Sequence, residues 1–211
     1  AEIKEKYLKR VIAHRKADEI IKGKYWEGGK GCAVGCTLEC SNSQGNIHKM
    51  METELGIPEE LGITEDWLFE SLPNGEALVF PEQFLKSINV GADLSDVCRK
   101  FKLEIQKENL KLQIKQSKKF PEFKEVYVQV IKAIKGVIEL LKNPQIAESA
   151  ARSAARSAAR SAESAARSAA RYAAESAAYS RMAKILLKLL KDARSEEEII
   201  ESKQPDSDWR D

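Results

Sequence analysis

Residues 148–180 read ESAARSAARSAARSAESAARSAARYAAESAAYS, and no other stretch so narrows what the chain can fold into. Alanine has the highest helix propensity and loses no side-chain entropy in a helix, so the stretch is expected to be helical. At roughly 100° per residue, Arg152, Arg156, Arg160, Glu163, Arg167 and Arg171 form one stripe. The serines run beside that stripe and alanine covers the opposite side. Such a methyl face contributes under about 1 kcal/mol per buried methyl, yet it lets a second helix approach closely. Ser149, Ser153, Ser157, Ser161, Ser164 and Ser168 recur at intervals of 4, 4, 4, 3 and 4, so the stripe winds slowly in the sense of a right-handed supercoil. As one helix, residues 146–193 would extend about 70 Å, against a diameter of roughly 45 Å for a globule of this chain length. The expectation is a break near Glu163 and Ser164, or an overhang packed on a second copy. A homo-oligomer joined through the alanine face is therefore the first partner expected.

The remaining composition is that of an ordinary globular chain, with 43% hydrophobic and 32% charged residues. Its 35 basic and 33 acidic side chains leave a net charge of +2, which argues against binding duplex nucleic acid by overall charge. The chain has no run of about 18 apolar residues, so no membrane span is expected. The first stretch, AEIKEKYLKRVIAHRK, is charged and helix-patterned and lacks the apolar centre of a signal peptide, which points to the cytoplasm. Cys32, Cys36, Cys40 and Cys98 are too few for a disulfide-stapled scaffold of this size and are read as free thiols.

Helical periodicity recurs along the chain. Ile3, Tyr7, Val11, Ile20 and Ile21 predict a helix over 2–22 stopped by Gly23. Residues 23–45 change abruptly to Gly, Cys and Ser and read as an ordered loop, with a short hairpin. A helix from Asn46 closes at Gly56, Thr64 is the expected N-cap of EDWLFESL, and Pro73–Gly75 make a turn. Further helices are expected from Pro81 to Gly91, from Asp93 or Ser95 to about Lys115, and from Pro121 to about Lys142. Strand signals are almost absent, so the fold class is all-α. The expected organisation is a helical domain over 1–144, an Ala-rich helix or helix pair over 145–194, and a short helix and tail over 195–211.

The stretch KYWEGGKGCAVGC, Lys24 to Cys36, is where chemistry is expected. Gly28, Gly29, Gly31 and Gly35 permit conformations in which backbone N–H groups converge on an anion. Lys24 and Lys30 add positive charge, and Tyr25 and Trp26 offer stacking faces for a nucleobase. The stretch is neither a Walker A motif nor a Rossmann fingerprint. Cys32, Cys36, Cys40 and His48 form a C-x3-C-x3-C-x7-H series whose knuckles are longer than zinc sites prefer. Cys32 or Cys36 beside His14 or His48 would make a thiolate–imidazole pair, but no nucleophile motif accompanies them. His14 points inward, as a core histidine donating to a backbone carbonyl. Glu52, four residues beyond His48, is expected to pair with it on one helical side. The residues expected to hold a small anionic, nucleotide-like ligand are His14, Arg15, Lys24, Tyr25, Trp26, Gly29, Lys30, Gly31, Cys32, Gly35, Cys36, Thr37, His48 and Glu52. No catalytic residue, metal ligand or cofactor is assigned, and nucleic acid and membrane are not expected partners.

HRKADEIIKGKYWEGGKGCAVGCTLE, continued by HKMMETELGIPEELGITEDWLFESLPNGEA and FPEQFLKSINVGADLSDV, resembles a family of small uncharacterised proteins of bacteriophages and prophages. The likeness rests on the GKGCAVGC loop, the ETELGIP element, the LPNGEA turn and an Ala-rich C-terminal helix. It implies a phage protein acting inside a bacterial cell, without an established activity. In that setting the leading expectation is a non-enzymatic protein that sequesters a nucleotide immune signal. The alternatives are a helical module that inhibits or adapts a host protein, and an enzyme using Cys32 or Cys36.

Overall fold

The computed structural model describes residues 2–40, 46–143 and 173–193. The arginine stripe, the expected break at Glu163 and Ser164, most of the proposed self-association face and the 195–211 tail lie outside these residues. Among the described residues every regular element is helical, apart from two isolated β-bridges. The chain is all-α, as its periodicity implies.

Helix α1 (Glu2–Lys16) buries Tyr7, Val11 and His14, a stripe at helical spacing, with Glu2 and Glu5 in its first turn and His14, Arg15 and Lys16 in its last. It ends well before Gly23. Asp18 adopts the left-handed conformation at φ 58°. The Glu19 N–H then donates to the His14 carbonyl at 3.0 Å and the Asp18 N–H to that of Arg15 at 3.3 Å. This is a Schellman closure with aspartate in the place glycine usually takes, which is why the expected helix over 2–22 is too long.

Helix α2 (Ala33–Leu38) lies inside the expected 23–45 loop, and all six of its residues are buried. Its Val34, Gly35 and Thr37 are weak helix formers, and six residues cannot hold a helix alone in water. Packing forms it: α2 touches α1, α3 (Ile47–Leu55), α4 (Glu59–Ser71) and α6 (Phe80–Ser87). Asn46 caps α3, its side chain accepting from the N–H groups of His48 and Lys49, and Gly56 closes it at φ 70°. Helix α4 starts behind Pro58 and runs through Thr64, whose hydroxyl donates to the Glu60 carbonyl at 2.8 Å. Thr64 is thus inside the helix rather than its cap. The one-turn α5 (Asn74–Ala77) occupies the expected turn. Helix α6 opens with Pro81 as expected but ends at Ser87, short of Gly91.

Helix α7 (Val97–Lys119) begins beyond both expected caps, because Asp93 accepts the Ser95 N–H at 2.9 Å and closes a turn there. A single 3-10 turn (Pro121–Phe123) leads into α8 (Lys124–Lys142), which buries Ile134, Val137, Ile138 and Leu141. The last described helix is α9 (Ala173–Asp192).

The described residues divide into two compact units, 2–98 with 179–193, and 99–143 with 173–178. In the first, Tyr179 stands edge-on to Trp67 at 5.3 Å, Ser180 donates to Glu76 at 2.9 Å, and Leu186 and Leu190 of α9 are fully buried. In the second, the Arg99 guanidinium holds the Leu141 carbonyl, while Phe123, Val126 and Val128 stay more than half exposed. No helix among the described residues is long and apolar enough to cross a membrane.

Candidate functional site

The Gly-rich stretch folds back onto α2. Residues 27–30 form a tight turn in which Gly28 and Gly29 take φ of 59° and 82°, a pair of left-handed conformations that side chains resist. Gly31 and Gly35 serve a different need. A Cβ on either would lie 2.0 or 1.3 Å from the Tyr25 carbonyl oxygen, so only glycine lets the 24–26 strand of chain lie against α2.

Several backbone donors of this stretch are used internally. The Gly31 N–H donates to Glu19 at 3.0 Å, Cys32 to Lys24 at 2.7 Å, Lys30 to Glu27 at 3.1 Å and Cys36 to Cys32 at 2.9 Å. One N–H does face an anion, and the anion is the protein's own. The Gly23 N–H lies 3.0 and 3.1 Å from the two carboxylate oxygens of Glu70. Lys24 pairs with Glu27, and Gly29 and Lys30 sit at the outer tip of the turn. The Thr37 hydroxyl donates to the Ala33 carbonyl at 2.8 Å within α2.

Two histidine centres flank α2. On one side His14 does not donate to a carbonyl, as the sequence suggests, but bridges two carboxylates. Its Nδ1 lies 2.6 Å from Glu19 and its Nε2 3.1 Å from Glu39. Arg10 completes the arrangement, pairing with Glu39 at 3.1 Å and donating to the Thr37 carbonyl at 3.0 Å. Trp26 meets the His14 ring edge-on at 5.1 Å. Arg15 points elsewhere, to Glu82 at 2.8 Å. The Cys36 thiol is buried here and donates to the Gly31 carbonyl at 3.2 Å. Burial, with Glu19 and Glu39 nearby, pushes that thiol up to about 12. It is held protonated at neutral pH, the opposite of an activated nucleophile.

On the other side the chain brings Tyr25, Cys32 and His48 together with three residues that sequence reasoning missed, Glu65, Asp66 and Glu70. Cys32 stands at the N-terminus of α2, His48 in the first turn of α3, and the three acids on α4. The ligand atoms of Cys32, Asp66 and Glu70 lie within 4.8 Å of one another. His48 Nε2 is 3.4 Å from Asp66 Oδ2, near enough for ion pairing but not aligned as a hydrogen bond. Tyr25 meets the His48 ring edge-on at 5.9 Å, and burial first, then the nearby Asp66 carboxylate, pushes its hydroxyl up. Glu65, 1% exposed, is pushed well up by burial and by the neighbouring Asp66. The Cys32 thiol is pushed strongly up by burial first, then by Asp66. His48 Nε2, Glu65 Oε2 and Asp66 Oδ1 are buried without a hydrogen-bond partner. One signal was available: Glu65 sits on the stripe of Leu61, Leu68 and Phe69, where periodicity reserves an apolar side chain.

One expected pairing does not form, and the cysteine series does not gather. Glu52 does not pair with His48; it takes Lys49 at 2.9 Å and the Glu59 N–H at 3.3 Å. The evenly spaced cysteines do not converge, since Cys36 faces Gly31 and the Cys40 thiol lies 3.7 Å from the Met50 sulfur.

A third feature is a groove of about 530 Å³ in the same unit, walled by the start of α1, the end of α3 and the chain beyond α6. Leu55, Ile57, Leu85, Ile88 and Leu94 give it an apolar floor, with Ile3 and Val90 at its mouth, 58% and 59% exposed. The Lys4 ammonium caps the end of α6, donating to the Lys86 and Ile88 carbonyls at 3.2 and 2.6 Å. Comparison with protein-family models, with curated proteins and with solved structures finds no match to this chain.

Proposed function

We propose that this chain is a non-enzymatic binding protein that takes an apolar, basic-edged helical segment of another protein into the groove between α1, α3 and α6. One observation carries the reading: the groove is apolar in its floor, exposed at Ile3 and Val90, and acidic at Glu52 and Glu54. Its volume falls in the range of ligand sites, and its apolar floor offers contacts for the apolar face of a docked helix. Its polar edge carries Glu52 and Glu54, which also take Lys49 and the Tyr7 hydroxyl, against the single Lys4 turned to the α6 carbonyls. Glu52 is kept anionic by Lys49, whose ammonium holds its carboxyl below the usual range. In the phage setting that the sequence resembles, the partner would be a host or phage protein.

A fluorescent amphipathic peptide of alternating leucine and lysine faces, titrated into the full chain, tests this. Binding should weaken about tenfold or more in Ile3→Glu and Val90→Glu, and hardly at all in Lys30→Ala. The rival reading, a small anionic ligand at the Gly-rich loop, predicts the reverse. Calorimetric heat from a cyclic nucleotide, lost in Lys30→Ala but kept in Val90→Glu, would establish it instead.

A further inference from the structure

We propose that Cys32, His48, Asp66 and Glu70 form a binding site for one divalent transition-metal ion, of which zinc fits the donor set best. The site is independent of the groove and of any partner there. Its ligands are one thiol, one imidazole and two carboxylates; the soft sulfur and the imidazole suit zinc rather than calcium or magnesium, and zinc accepts carboxylate oxygen as well. A tetrahedral zinc with bonds of about 2.1 Å holds its oxygen and nitrogen ligands about 3.4 Å apart. The His48–Asp66 separation is 3.4 Å, and the Cys32, Asp66 and Glu70 ligand atoms lie within 4.8 Å of each other. His48 joins through Asp66 and stands outside the trio that meets within 4.8 Å. Asp66 and Glu70 are one helical turn apart on α4 and so project to the same side.

The cluster is more than a collection of acids. His48 Nε2 and Asp66 Oδ1 are buried and without a hydrogen-bond partner, and the second Asp66 oxygen faces His48 Nε2. Glu65, 1% exposed and with Oε2 also unpartnered, lies beside Asp66 and Cys32 and adds a further buried polar atom to the cluster. The charges that act on Tyr25, Cys32 and Glu65 are themselves acidic. Asp66 and Glu70 bring two carboxylates of one sign within reach of each other, and a dication balances them. Beside the proposed ligands the Gly23 N–H donates to the Glu70 carboxylate and orients it as an outer-shell partner does. Binding replaces the Cys32 S–H bond with a sulfur–metal bond, and the proton leaves to solvent.

The test uses the full chain, reduced and stripped with a chelator, then titrated separately with zinc and cobalt(II). One equivalent should bind, and the cobalt form should show a thiolate-to-metal charge-transfer band with the strong visible bands of a tetrahedral ion. Cys32→Ser should abolish the charge-transfer band, and Cys32→Ser or His48→Gln should weaken binding at least about a hundredfold. Cys36→Ser and Cys40→Ser should leave band and stoichiometry unchanged. Circular dichroism of each variant monitors folding; if Cys32→Ser fails to fold, the wild-type cobalt spectrum and the affinity of Glu70→Gln decide. A wild-type protein that takes up no stoichiometric metal, or a charge-transfer band that persists in folded Cys32→Ser, overturns the proposal.

Discussion

The two histidines beside α2 are built from similar parts and end in opposite states. At His14 both ring nitrogens have carboxylate partners, and Arg10 supplies a permanent positive charge to Glu39. At His48 the ring nitrogen faces Asp66 without a hydrogen bond, and the surrounding groups are a thiol and three carboxylates. Burial of polar groups is tolerated where partners are complete and costly where they are not. The His14 centre is therefore a finished structural joint tying α1 to the end of α2. The His48 centre has the composition of a site that lacks one positive partner.

The most severe way to break this contrast is to disturb the element both centres share. Gly35→Ala forces a Cβ to within 1.3 Å of the Tyr25 carbonyl, so the chain carrying Tyr25 and Trp26 must leave α2. The expected cost exceeds about 4 kcal/mol, close to complete unfolding. A urea melt of that variant within about 1 kcal/mol of wild type would show that the loop does not press on α2.

Smaller and more telling is a matched pair of substitutions on the two sides. His14→Ala removes the bridge between Glu19 and Glu39 and should destabilise by about 2 kcal/mol. Glu65→Leu removes an unpartnered buried oxygen from the other side and should stabilise the metal-stripped protein by about 1 kcal/mol. The same sign for both, in chemical denaturation at neutral pH, would erase the distinction between the centres.

The smallest effect concerns Glu82, which Lys86 and Arg15 hold below the usual carboxylate range. A depressed folded-state value means the pairing stabilises above about pH 4.3, the ordinary glutamate value, and is lost as the pH falls through the lower folded-state value. Arg15→Ala should thus cost under about 1 kcal/mol at pH 7 and nothing near pH 2. Equal costs at the two pH values would mean that Arg15 acts through packing alone.

Long periodic segments were legible from residues alone. The α8 stripe of Ile134, Val137, Ile138 and Leu141 and the Pro121 opening both follow from local spacing. Boundaries failed where an unusual residue carried the geometry, as with Asp18 ending α1 in place of glycine. Of the residues expected around the loop, Tyr25, Cys32 and His48 do meet, but Lys24, Gly29, Lys30 and Thr37 do not join them. Their acidic neighbours went unseen because Glu65, Asp66 and Glu70 lie far along the chain in what reads as a plain amphipathic helix. Only the inward place of Glu65 hinted at them.

By itself the sequence determined what depends on neighbours within a turn or two: helices throughout, a helix opening at Asn46 and the glycine at Gly56 that closes it. The tertiary structure decided what depends on distant chain meeting chain. It made a helix of Ala33–Leu38, whose own propensity is poor, because four other helices bury it. It also chose which histidine was completed by opposite charge and which was left among acids, since charges act through space and the sequence records only their order.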